Sequence, residues 1–213
     1  MRFLPIAAVL SLTATGAAAQ SSVFIEQIGS GNTATVTQRG DGNGRHGLGG
    51  RVRQEADDGS AQVFQDGPDN DFSIRQTGQG PHTAILTQTG ADNRATFRQE
   101  DFGPNLAAVM QTGDGNSANV RQSGVAGGQG NSYGLTQDGD NNTASVEQEG
   151  DNNTSVQQQA GSNNAMAAQQ LGDNNTLSQI QLGDGFTAAT VIQNGDSALS
   201  ITQTAMPPMS PGG

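Results

Sequence analysis

The chain has 213 residues, 32% hydrophobic and 4% aromatic, with 31 glycines, no cysteine, no tryptophan and a net charge of −11. That supply of large apolar side chains is too small for a conventional globular core of this length, and disulfides cannot make up the difference. Low hydrophobicity and net acidity suit a disordered chain, but only 14% of residues are charged and the apolar ones are strictly spaced, which favours order.

Residues 1–19 read as a secretory signal peptide. Arg2 supplies the positive start, Phe3 to Leu12 the apolar stretch, and Ala17-Ala18-Ala19 the small-residue cleavage site before Gln20. The stretch is shorter than the roughly 20 residues a membrane helix needs. No later segment is apolar enough to span a bilayer, so an exported chain without a membrane span is expected.

From residue 20 to 203 one feature dominates. Glutamines recur at Gln27, Gln38, Gln54, Gln65, Gln76, Gln88, Gln99, Gln111, Gln122, Gln137, Gln148, Gln159, Gln170, Gln181, Gln193 and Gln203. Nine of the fifteen intervals are eleven residues long and four more are ten or twelve. The two longer ones, 38–54 and 122–137, carry Gly-rich insertions. A glycine stands two residues after most anchors, and an asparagine often follows three residues later, as at Asn32, Asn93, Asn116, Asn142, Asn153, Asn164 and Asn175. Fixed self-similarity of this kind is the mark of a repeat architecture.

The residues leading to each Gln alternate with period two, a strand signal. Two positions before the anchor stand residues such as Ile25, Val52, Phe97 and Val146, with only Gln157 and Gln179 breaking the column. Four positions before stand mostly alanines, such as Ala34, Ala95 and Ala144. The intervening positions are Thr, Ser, Arg, Gln and Glu, so one face is expected dry and the other wet. A helix would scatter this pattern around all sides.

Each unit therefore predicts a strand of about six residues, some 20 Å long, and a Gly/Asn/Asp turn. Two units make a coil of about 22 residues, and coils stack about 4.8 Å apart in parallel register. The fold class is all-β, a β-solenoid stacking as cross-β amyloid. Parity places the anchor Gln inside, where an unpaired amide costs roughly 1–3 kcal/mol. Stacked coils remove that cost by bonding each Gln to those above and below, and the turn Asn residues likewise. Units 148–181 fit less well, with Val156, Met166 and Ile180 beside the expected columns, and a one-residue slip there would swap faces. No capping helix is legible at either end, and open strand edges favour polymerisation. The tail, 204–213, is Pro-rich in Met206-Pro207-Pro208-Met209-Ser210-Pro211; it cannot extend a sheet and is expected to be disordered.

The pattern resembles that of curlin-repeat proteins, subunits of bacterial curli fibres of major or nucleator type. The arrangement S-x5-Q-x4-N-x5-Q is complete at Ser21, Gln27, Asn32 and Gln38, and Q-x-G-x-x-N-x-A-x-V-x-Q is met at Gln27–Gln38, Gln111–Gln122 and Gln137–Gln148. The resemblance covers nearly all of residues 21–203. It implies an extracellular functional amyloid used in adhesion and biofilm matrix, partnered by itself, by a second curlin-type subunit and by an outer-membrane export pore. Here the repeat begins directly after the leader, without the Gly/Asn-rich export segment often found in the family.

Chemistry of other kinds finds little footing. His46 and His82 are the only histidines, and without cysteine a zinc site would rest mostly on carboxylates. Strings such as GDGN and GDNN suit turn-forming Asp better than calcium loops, since the period is eleven rather than nine. Asp57 and Asp58 fall in a turn, and no nucleophile–His–acid set is visible, so neither an enzyme nor a cofactor is expected. Residues 122–213 carry eight acids and no base, which argues against nucleic acid. Two further classes remain beside the fibre subunit. One is a monomeric solenoid binding a repetitive ligand, ice or polysaccharide, suggested by Thr33, Thr35 and Thr37 but weakened where outward positions become Arg, Ser or Glu. The other is a polysaccharide-acting solenoid enzyme, weakened by the scarcity of aromatic residues.

Overall fold

Alternation ahead of each Gln leaves one face of every strand dry, and the Gly/Asn turns bring the next strand round to cover it. The computed structural model describes residues 9–15, 21–44, 50–187 and 190–205, the first of these as backbone only. Residues 1–8 and 16–20 of the expected signal peptide and its cleavage site, His46, Ala189 and residues 206–213 lie outside the described residues. No described helix is long and apolar enough to cross a membrane.

All regular structure among the described residues is β. One sheet has nine parallel strands in chain order: β1 (Val9–Thr15), β3 (Thr33–Arg39), β5 (Ser60–Asp66), β7 (Thr83–Thr89), β9 (Leu106–Thr112), β11 (Ser132–Asp138), β13 (Thr154–Ala160), β15 (Thr176–Leu182) and β17 (Ala198–Thr204). The other has eight: β2 (Phe24–Gln27), β4 (Arg51–Glu55), β6 (Asp71–Thr77), β8 (Arg94–Asp101), β10 (Ser117–Gly124), β12 (Thr143–Glu149), β14 (Ala165–Leu171) and β16 (Val191–Asn194). Each even strand and the odd strand after it form one coil, giving eight coils from β2–β3 to β16–β17.

Register places like on like. Val120 pairs with Phe97 on one side and Val146 on the other, and Gln122 with Gln99 and Gln148. Between the sheets lies a single thin core, including Val36, Val52, Ile74, Leu86, Phe97, Val120 and Val146.

The slip considered for residues 148–181 does not occur. Gln148 pairs with Gln170 and Gln159 with Gln181. Met166 is buried, and Gln157 and Gln179 stay inside although they are polar, while Val156 faces outward. Turns of constant form hold the register here. Asn152 and Asn163 take left-handed φ of 53° and 59°, which asparagine tolerates, and Asn153 and Asn164 continue the turn ladder described below.

The glycine two residues past the anchor is fixed by stacking as well as by conformation. Gly90 has φ +108°, and a Cβ there would lie 2.2 Å from the Gly113 carbonyl oxygen of the next coil. Turns thus pack backbone on backbone, which no larger residue permits.

The outward faces differ more than alternation alone predicts. Arg51, Arg53, Arg75, Arg98 and Arg121 all lie on the even sheet. The odd sheet instead exposes Thr, Ser and the apolar Ile85, Met110 and Val156. The change of outward residue along the sequence is therefore a change of face between successive units, not a drift along one face.

Candidate functional site: amide ladders and open ends

The sixteen anchor glutamines fall into two columns, one per sheet. On the even sheet Gln27 donates through Nε2 to Gln54 Oε1 at 2.7 Å, Gln54 to Gln76 at 2.8 Å, and Gln76 to Gln99 at 2.9 Å. The series continues from Gln99 to Gln122 at 3.0 Å, then to Gln148, Gln170 and Gln193 at 2.8 Å each. On the odd sheet Gln38 donates to Gln65 and Gln65 to Gln88, both at 2.7 Å, then Gln88 to Gln111 at 2.8 Å and Gln111 to Gln137 at 2.9 Å. Gln137, Gln159 and Gln181 donate in turn to Gln159, Gln181 and Gln203 at 2.8, 3.0 and 2.8 Å. Every link runs the same way, from the earlier coil to the later.

The second Nε2 hydrogen of most anchors ties the two sheets together. Gln99 reaches the Thr83 carbonyl at 2.9 Å, Gln122 that of Leu106 at 2.9 Å, and Gln148 that of Ser132 at 3.0 Å. Alternation cannot foretell this bond, because it depends on where the facing strand begins. It explains why an amide serves here and a hydroxyl would not: one side chain accepts once and donates twice.

The turn asparagines form two further columns with the opposite sense. Backbone N–H groups of Asn93, Asn116, Asn142 and Asn164 donate to Oδ1 of Asn70, Asn93, Asn116 and Asn142, each at 3.0 Å. In the other column Gly59 N–H donates to Asn32 Oδ1 at 2.9 Å, and Asn175 N–H to Asn153 Oδ1 at 3.0 Å. The structure adds Asn43, Asn70, Asn105 and Asn131 to these columns. The first two sit five residues after an anchor and were legible by spacing. Asn131 was hidden by the insertion that precedes it.

Two substitutions interrupt the scheme. His82 occupies a turn-Asn place, fully buried, with Nδ1 3.4 Å from Asn105 Nδ2 and Nε2 3.3 Å from the Thr77 carbonyl. Burial pushes its imidazole below the ordinary value, partly opposed by that carbonyl. The buried Tyr133 donates to Gln157 Oε1 at 2.5 Å, and Gln157 donates to Gln179 Oε1 at 2.6 Å. This short polar chain fills the break in the apolar column. Burial raises the Tyr133 hydroxyl far above its usual range.

Outside, Arg53, Arg75, Arg98 and Arg121 stack in register. Acids interleave with them: Glu26 lies 3.3 Å from Arg53, Glu100 lies 3.7 Å from Arg75 and 2.5 Å from Arg98, and Glu147 pairs with Arg121. Asp57 is held below the usual carboxylate range by the Ser30 N–H and hydroxyl. Among the described residues no three His, Asp or Glu converge as metal ligands.

The two ends of the stack differ. At the C-terminal end β16 and β17 are the last strands of their sheets, and Leu199 is 43% exposed where its column mates Leu177 and Ala107 are buried. At the N-terminal end β2 is the last even strand, whereas β3 is covered by β1, Val9 pairing with Thr33 and Ala14 with Gln38. Beneath that cover Ala34 and Val36 are fully buried.

Residues 128–156, from the second Gly-rich insertion through β11 and β12 into β13, match the family model of the curlin associated repeat. No curated protein and no solved structure matches the chain. The matched segment shares its register and ladders with the coils on either side, and on that match the chain is recognised as one that carries the curlin repeat.

Proposed function

We propose that the chain, after loss of residues 1–19, is the structural subunit of an extracellular curli-type fibre that serves cell adhesion and biofilm matrix. Copies add end to end, the last coil of one on the first coil of the next, so that both sheets and both Gln ladders continue across the junction. A second curlin-type subunit and an outer-membrane export pore are the partners this reading implies, and it assigns the chain no catalysis.

One observation carries the proposal: the ladders run in a single direction through eight coils and end at strands that are uncovered, save β3, which is covered only by Val9–Thr15. The next donor in line is Gln203 Nε2, and the acceptor that would receive it is Gln38 Oε1 of another copy. The edge of β3 already holds a parallel seven-residue strand, Val9–Thr15, where Ala198–Thr204 of a neighbour would lie once the leader is gone.

The test is assembly of residues 20–213. Electron microscopy should show fibres after a lag, with diffraction spacings near 4.8 Å and 10 Å. Growth should quicken as pH falls toward the full-chain pI of about 4.2 or as salt rises, because in residues 20–213 twenty acids face eight arginines and like charges oppose stacking. A chain that stays monomeric for weeks at high micromolar concentration would overturn the proposal.

A further inference from the structure

Among the described residues, the outward face of the odd sheet is almost without charge. Its strands from β3 to β17 contain three charged residues, Arg39, Asp66 and Asp138, each the last residue of its strand. The even sheet contains thirteen, spread over its strands from β2 to β12. On a chain of net charge −11, close approach of two copies side by side costs least through the uncharged face.

That face is also patterned. Ile85, Met110 and Val156 are 37%, 46% and 50% exposed. Between them Ala108 and Gly134 leave a shallow groove, and a Cβ built on Gly134 would meet nothing within 4 Å. The groove sits between β9 and β11, the middle of the eight coils.

We propose that this face binds the same face of a second copy, about a two-fold axis that runs along the strand direction between β9 and β11. Such an axis keeps each position along a strand and reverses the order of the coils, so β7 meets β13, β5 meets β15 and β3 meets β17. Ile85 then faces Val156, and Phe64 faces Ile180. Ala108 faces Gly134, which lets the two sheets close at the centre. Gln62 faces Ser178, and Thr37 faces Thr202. An isologous contact requires a self-complementary surface; Ile85 with Val156 and Phe64 with Ile180 supply its apolar matches, while Met110 meets Thr136 and Leu182 meets Asp66.

The area is adequate. Strands of seven residues and eight coils give a face of about 23 Å by 38 Å, roughly 800–900 Å² per copy, against about 800 Å² per partner in a standard specific interface. Two sheets packed this way lie about 10 Å apart. The contact leaves both ends of each solenoid free, so it is compatible with end-on growth and does not depend on it.

A charge exchange tests the pairing. Ile85→Lys and Val156→Glu each place an unmatched charge at the contact, and each should weaken self-association of residues 20–213 by roughly tenfold or more. Together in one chain they should restore it, because the ammonium introduced on β7 of each copy would face the carboxylate introduced on β13 of the other. The exposed Asn119, on the even sheet, serves as control, and Asn119→Lys should leave association unchanged. Sedimentation during the lag reads the mass, and electron microscopy reads whether filaments are single or paired. A monomeric wild type with unpaired filaments, or a double variant no better than the singles, would overturn the proposal. Single filaments would still leave the fibre reading standing, and dimers that never form fibres would do the reverse.

Discussion

The first half of the solenoid and the second are built on the same coil but from different materials. Up to residue 121 the core columns hold Val36, Phe72, Ile74, Leu86 and Phe97, and every described arginine lies here. Beyond residue 121 there is no base, Ala168 stands where Phe97 stood, and Ser155, Gln157 and Gln179 are buried. Ser155 Oγ and Gln179 Nε2 have no hydrogen-bond partner. Yet strand length and register are the same in both halves. Core apolarity is therefore the adjustable part of this fold, and the amide columns with their stacked Gly turns are the constant part.

The largest expected effect probes what the second half cannot tolerate. Val146 is buried and Ser145 beside it faces outward. Val146→Asp places a carboxylate without a partner in the core and should cost several kcal/mol, whereas Ser145→Asp should cost about a few tenths. Denaturant unfolding of both variants measures the difference. Equal damage would mean that the inside and outside are wrongly assigned.

A smaller effect separates polar from apolar filling. Gln157→Leu strands the Tyr133 hydroxyl and the Gln179 carbonyl oxygen, and should destabilise by about 1–3 kcal/mol. Tyr133→Phe, Gln157→Leu and Gln179→Leu together remove the whole polar chain, recreate the apolar column of the first half, and should be neutral or stabilising. If the triple variant is less stable than Gln157→Leu alone, the polar chain is a structural requirement and the contrast between halves fails.

The smallest effect lies in the first half and depends on pH. His82 has its folded value lowered from 6.5, so as pH falls the unfolded chain takes up this proton first. Stability is full above pH 6.5 and declines below it. His82→Asn should remove that decline. Comparing unfolding midpoints of the two chains at pH 7.5 and pH 5 isolates it from the general relief of carboxylate repulsion, which both share. An unchanged pH slope in His82→Asn would show that the buried imidazole is not the source.

Much of this was legible in the sequence because period two and period eleven are both rigid. Period two alone places Val52, Val120 and Gln122 on the inward face. What escaped were features that depend on which unit lies over which. Arg53, Arg75, Arg98 and Arg121 recur every 22 or 23 residues, twice the unit length, and that spacing already separates the two faces. The bond from Gln99 to the Thr83 carbonyl had no such signal, since it joins different sheets. Nor did the Tyr133–Gln157–Gln179 chain, because each of its members looks like a fault in its own unit.

The single sense of the glutamine ladders has an electrical consequence. Backbone dipoles in a sheet largely cancel, but the side-chain amides of these two columns all point along the stacking axis. Each amide carries a dipole comparable to the roughly 3.5 D of a peptide unit, so the glutamine columns add to the moment of a stack with every copy, and the turn-asparagine columns, of opposite sense, subtract from it. Two stacks with a remaining moment, side by side, repel when they point the same way and attract when they point oppositely. A two-fold axis across the stack sets them opposite, and the paired stacks have no net moment along their length.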